Sequence, residues 1–159
     1  MNKDDKIYVA GHTGLVGSAI LTQLKKAGYS NIITHSHSEL DLSNQSLVKK
    51  FFEAERPQYV FLSAGKTGGV YANDTYRADF IYENLMIESN VIHQSFLSEV
   101  RKLIFFSCSS IYPKFCPQPM KEENILSGGL EPTNEPFAIA KIAGMKLCES
   151  YRRQYGCDF

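Results

Sequence analysis

Three glycines spaced three apart constrain this chain more than any other feature. Gly11, Gly14 and Gly17 follow the apolar run Ile7-Tyr8-Val9-Ala10 without a break. Leu15, Ala19, Ile20 and Leu24 then recur at helical spacing. The order is strand, tight turn, helix. Such a turn leaves the first N–H groups of the helix free and aims the positive end of its dipole at open space. A pyrophosphate suits that place, and glycine lets it approach the backbone. A glycine triplet alone also fits an ordinary loop. The strand before it and the helix after it supply the context that a dinucleotide-binding turn requires. The residues expected at the diphosphate are Gly11, His12, Thr13, Gly14, Leu15, Val16 and Gly17.

The pattern then alternates. Asn31 to His35 reads as a second strand, and Ser43 as the cap of a helix burying Leu47, Val48, Phe51 and Phe52. Arg56-Pro57 ends that helix. Gln58 to Ala64 is a near-continuous apolar run, as expected of a parallel strand buried on both faces. A long helical stretch runs from Asp74 to Val100, and Lys102 to Cys108 is another strand. The last helix runs from near Phe137 to Tyr155 and stops at Gly156; Cys157-Asp158-Phe159 would begin one more strand. Strands alternating with helices imply an α/β fold with a doubly wound parallel sheet, Rossmann-like and NAD(P)-binding. Residues 1–159 are expected to form one dinucleotide-binding domain, with a substrate domain missing.

Lys+Arg and Asp+Glu both number 17, so net charge gives no reason to expect nucleic acid or an anionic membrane as partner. No apolar run approaches membrane-span length, and residues 1–6 carry no leader-like apolar segment. Cys108, Cys116, Cys148 and Cys157 form no C-x-x-C pair and have no histidine at zinc-ligand spacing. Free thiols in a reducing cytoplasm are the expectation, and no metal is implied. Gly65-Lys66-Thr67 tempts a P-loop reading, but the position that needs the first glycine is Val60. A loop passing over a coenzyme at the carboxyl end of the sheet fits better.

The end of the second strand bears on which coenzyme. An acidic residue there bonds the ribose 2′-hydroxyl of NAD, whereas a basic one receives the 2′-phosphate of NADP. This chain offers Thr34-His35-Ser36-His37-Ser38, with no carboxylate before Glu39. That points to NADP (NADPH), with His37 or His35 and the two serines as phosphate contacts. The competing reading is a plain polar loop. Asp41 is a candidate neighbour of the adenine, or a polar turn residue.

Several longer motifs carry a family resemblance. They are Val-Ala-Gly-His-Thr-Gly-Leu-Val-Gly-Ser-Ala-Ile from Val9, Ala-Asp-Phe-Ile-Tyr-Glu-Asn from Ala78 and Ile-Tyr-Pro-Lys from Ile111. Glu-Pro-Thr-Asn-Glu-Pro-Phe-Ala-Ile-Ala-Lys from Glu131 and Lys-Leu-Cys-Glu-Ser-Tyr from Lys146 complete the set. Together they resemble the GDP-L-fucose synthase family, in the extended branch of the short-chain dehydrogenase/reductase superfamily. The resemblance implies a 3,5-epimerisation of GDP-4-keto-6-deoxy-D-mannose and NADPH reduction of its 4-keto group. It implies a tyrosine that gives a proton, a lysine four residues on that holds the nicotinamide ribose, a carbonyl-binding serine and an acid/base cysteine. It also implies coenzyme contacts from Ala64, Lys66, Ser107, Ser109 and Lys141. Relatives commonly form homodimers through their two long helices, here Asp74–Leu97 and Phe137–Tyr155, as a four-helix bundle.

Position by position, Lys141 matches the lysine. The tyrosine position holds Phe137, the serine position Cys108 and the cysteine position Ser110. No tyrosine here is followed by lysine four residues later, so the motif has not slipped. Phenylalanine has no proton to give, and a lost general acid costs roughly two to four powers of ten in rate. Two expectations follow: an epimerase/reductase of this family, or a truncated, catalytically impaired dinucleotide-binding module or fragment of the same family.

Overall fold

The computed structural model describes all 159 residues. The elements are β1 (Ile7–Ala10), α1 (Leu15–Lys26), β2 (Ile32–Ile33), α2 (Gln45–Glu55), β3 (Tyr59–Leu62), α3 (Val70–Thr75), α4 (Arg77–Leu97), β4 (Lys102–Phe105) and α5 (Glu135–Tyr155). The four strands are parallel, in the order β2-β1-β3-β4. Tyr8 stands opposite Val60, and Val60 opposite Leu103. The chain winds outward from β1 to β2, returns past β1, and winds the other way through β3 and β4. The crevice at the carboxyl ends of β1 and β3 is therefore the topological switch point, where open α/β sheets bind ligands.

The two faces of the sheet are covered unequally. Tyr8, Ala10, Val60, Leu62 and Leu103 point into a core closed by α2, α4 and α5, whose Val48, Phe52, Val91, Ile92 and Cys148 are buried. Ile7 and Val9 point the other way, against Leu24 of α1. Only α1 lies on that side. The expectation that β3 is buried on both faces therefore holds for Val60 and Leu62 but not for Tyr59 and Phe61, which stay half-buried. No helix is long and apolar enough to cross a membrane.

Several boundaries differ from the sequence expectation, each for a local reason. The second strand is two residues long because it sits at the sheet edge and pairs only with β1. The cap of α2 is Asn44, whose side chain accepts from Leu47 N–H at 3.2 Å, and not Ser43. Ser43 instead gives both its N–H and its hydroxyl to Asp41. Leu47 faces solvent, while Val48, Phe51 and Phe52 are buried. Arg56 ends α2 in the left-handed region, at φ 45°. The stretch from Asp74 is two helices, broken at Tyr76. Helix α5 starts two residues early, because Pro136 fits the first turn, and Gly156 ends it at φ 74°. Cys157 to Phe159 do not form a further strand. They lie along β4, where Leu103 N–H donates to Asp158 O at 3.0 Å.

Candidate functional site

Gly11 leaves β1 at φ 82°, a conformation that strains any residue with a side chain. A Cβ there would stand 2.6 Å from the Ala64 nitrogen. A Cβ on Gly17 would overlap the Gly11 carbonyl oxygen. These two glycines let α1 start directly under the β1–β3 crevice. Gly14 caps the helix with no side-chain bond, and no acidic residue lies in its first turn. The N–H groups of Leu15, Val16 and Gly17 have no acceptor in the chain, while Ser18 N–H is the first to be satisfied, by Gly14 O. Free amides, a positive dipole end and no competing carboxylate can hold an anionic diphosphate.

Above them opens a cleft of about 620 Å³. Of the candidates named from sequence, Gly11, Thr13, Gly14, Leu15, Val16, Gly17, His35, Ser36, His37, Ala64 and Lys66 line its walls. His12 and Asp41 do not line it. Asp41 is occupied by Ser43, whose hydroxyl and then N–H hold its carboxyl below the usual range. His37 lies 3.9 Å from that carboxylate and is otherwise exposed. His35 packs edge-on to Phe51, and its Nδ1 is buried without a partner. Ser36 is tied to Glu39, whose oxygen accepts its N–H and hydroxyl, both at 2.7 Å. Those two bonds, backbone first, lower the Glu39 carboxyl.

Lys66 lines the cleft, yet its ammonium is bound by Glu83. That bond raises its pKa. The loop carrying it is pinned by a residue that sequence reasoning passed over. Asn84 accepts from Lys66 N–H and donates to Lys66 O, both at 3.0 Å, and is fully buried. Ser63 was also missed: it lines the cleft and donates to Ala10 O at 2.7 Å. For Asn84 the available signal was a polar residue inside the apolar stripe of a helix; Ser63, just past β3, carried none.

The remaining expected residues gather at the end of β4. Ser107 and Ser109 are exposed there, outside the cleft wall. Cys108 Sγ lies 2.7 Å from Ser110 Oγ. Phe137 is half-buried and meets Phe80 edge-on, with ring centroids 6.4 Å apart. One helical turn on, the Lys141 ammonium is 5.8 Å from the Phe137 ring centre and 4.9 Å from that of Phe105. It is buried and lies 3.0 Å from Glu88 Oε1. That approach is an ion pair by distance; neither Glu88 oxygen reaches good hydrogen-bond geometry. Burial pushes the Glu88 carboxyl up to about 7, with Lys141 pulling the other way.

Residues 7–159 match the NAD dependent epimerase/dehydratase family. The chain is 55% identical over 158 residues to a putative GDP-L-fucose synthase 2 of Arabidopsis thaliana, covering 99% of this chain and 48% of that one. It is 54% identical over 154 residues to the GDP-L-fucose synthase of Escherichia coli (strain K12), covering 97% and 48%. A GDP-mannoheptose C4 reductase from Campylobacter jejuni, solved with NADP bound, superposes with a TM-score of 0.96 at 50% identity, over 99% of this chain and 50% of that one. The chain thus spans about half the length of the curated relatives it matches.

Proposed function

The chain belongs to the NAD dependent epimerase/dehydratase family, and from that membership we propose that it is the NADP-binding half of a GDP-L-fucose synthase-like epimerase/reductase. One observation carries the coenzyme reading: unpaired amides at the start of α1 face the switch-point cleft across a cradle that only glycine at 11 and 17 permits. The diphosphate would sit on Leu15, Val16 and Gly17 N–H, the adenosine end toward His35 and His37, and the nicotinamide ribose toward Lys141. Bound there, NADPH would supply a hydride to a 4-keto sugar. The relatives' names support a GDP-sugar as substrate, and the NADP bound to a similar structure supports the coenzyme.

The acid/base half of the chemistry is altered in this chain. A reduced carbonyl needs a proton, and Phe137 offers none where the family resemblance puts a tyrosine. Ser110 stands where that resemblance puts a cysteine, and its hydroxyl ionises far less readily than a thiol. Cys108 touches Ser110 and can donate weakly to a carbonyl oxygen. These residues favour a second reading, a coenzyme-binding module with impaired turnover. Exposed Tyr82 and Leu97 on α4 and Ile139 and Tyr155 on α5 support a homodimer through these helices. Four free cysteines support a reducing, cytoplasmic setting.

Titration of the folded chain with NADP+ at near-physiological salt tests the first reading: saturable uptake is expected, and none refutes it. Adding GDP-4-keto-6-deoxymannose and NADPH tests the second, which predicts no NADPH consumption; clear consumption overturns it.

A further inference from the structure

Glu88 has no part in the roles just assigned, yet it is among the most deeply buried side chains in the molecule, at 1% exposure. It lies on α4 one turn after Asn84, the residue that pins the Lys66 peptide. Opposite, α5 presents Lys141, Gly144 and Cys148 on one face. A Cβ on Gly144 would stand 2.5 Å from Glu88 Oε2, so glycine leaves the room the carboxylate occupies. Cys148 faces the same carboxylate, which adds to the effect of burial in pushing its thiol up to about 12. The one cation in this space is Lys141, 3.0 Å away. A Cβ on Gly65, a residue of the cleft wall, would come within 3.3 Å of the Lys141 ammonium. The ammonium therefore lies directly beneath the cleft, between the Gly65 loop and Glu88. Its other close neighbours are the rings of Phe105 and Phe137, which fix no direction.

We propose that Glu88 is a positioning residue: its carboxylate anchors the Lys141 ammonium beneath Gly65, at the point where a ribose carried in the cleft would meet it. This rests on the coenzyme reading above. The family resemblance puts a tyrosine hydroxyl one helical turn from that lysine; with Phe137 there, the carboxylate at 3.0 Å is the ionic partner left to it. Only the nicotinamide half of a dinucleotide depends on it. The adenosine half is held at α1 and the second strand.

Calorimetric titration of the full 159-residue chain at pH 8.5, above the value of about 7 to which burial raises the Glu88 carboxyl, distinguishes positioning from general support of the fold. The probes are NADP+ and 2′,5′-ADP, which lacks the nicotinamide ribose. Glu88→Gln should weaken NADP+ binding about tenfold and leave 2′,5′-ADP unchanged. In a Lys141→Met background it should add nothing, because both residues act through one contact. Equal weakening of both ligands overturns the proposal in favour of a structural role. So does no change in either, or a further loss in the Lys141→Met background. If Glu88→Gln does not fold, Glu88→Asp keeps the charge one methylene short and should give a smaller loss confined to NADP+; equal losses again overturn it. An unsubstituted chain that binds 2′,5′-ADP with the same affinity as NADP+ refutes this inference alone. One that binds neither refutes the coenzyme reading itself.

Discussion

Replacing Lys141 with methionine leaves the Glu88 carboxyl buried without its cation. That carboxyl already stands at about 7 in place of 4.5, because burial outweighs the pull of Lys141. A raised carboxyl pKa means that the folded chain keeps a proton which the unfolded chain has released. The stability this proton contributes is complete below about 4.5 and is lost as pH rises through about 7. Each pH unit inside the window is worth about 1.4 kcal/mol, so the unsubstituted chain loses about 3 kcal/mol across it and nothing more from Glu88 above it. Without Lys141 the window extends upward, because the charge that pulled the pKa down is gone. Lys141→Met should therefore be at least as stable as the unsubstituted chain near pH 5. Above pH 7 it should fall behind by about 1.4 kcal/mol per pH unit, toward the about 3–5 kcal/mol typical of an orphaned buried charge. Urea unfolding at pH 5, 7, 8 and 9, at fixed ionic strength, reads this directly. Adding Glu88→Gln should flatten the dependence. A deficit that does not change between pH 7 and pH 9, or one that persists in the double variant, refutes the reasoning.

Three other outcomes can be measured. Gly17→Ala forces a methyl into the Gly11 carbonyl; it should cost about 3 kcal/mol in urea unfolding and abolish NADP+ uptake, and normal uptake would contradict the cradle. His35 and His37 line the end of the cleft proposed for the adenosine; His35→Gln with His37→Gln should lower the preference for NADP+ over NAD+ in parallel titrations, and an unchanged preference would show that neither histidine receives the 2′-phosphate. Phe137→Tyr places a phenol beside the Lys141 ammonium, 5.8 Å from the present ring centre. Ultraviolet difference titration should show a phenol ionising below the others, and its absence would place the ammonium out of reach.

Short-range sterics and periodicity are legible in a sequence, and the parts of this fold that depend on them read correctly. The three glycines require a strand-turn-helix because only glycine tolerates the φ of 82° at Gly11 and the contact at Gly17. The alternation of strand and helix implied a parallel, doubly wound sheet, and Gly156 marked the end of α5 through its left-handed φ. Boundaries moved where two neighbours competed for one role, as when Asp41 engaged Ser43 and left Asn44 to cap α2.

What the tertiary structure decided are the meetings between residues distant in the chain. The order β2-β1-β3-β4 places the cleft between β1 and β3, and no local pattern states which strands become neighbours. Lys66 looked available to a ligand until the packing of α4 brought Glu83 to it. Nothing in the sequence singled out Glu88; it is α5 that brings Lys141 to 3.0 Å and, through Gly144, leaves the space for its carboxylate. A helix sequence encodes which side it buries. The charge found on that buried side depends on a partner helix, because the cost of burying a carboxylate is set by what it faces.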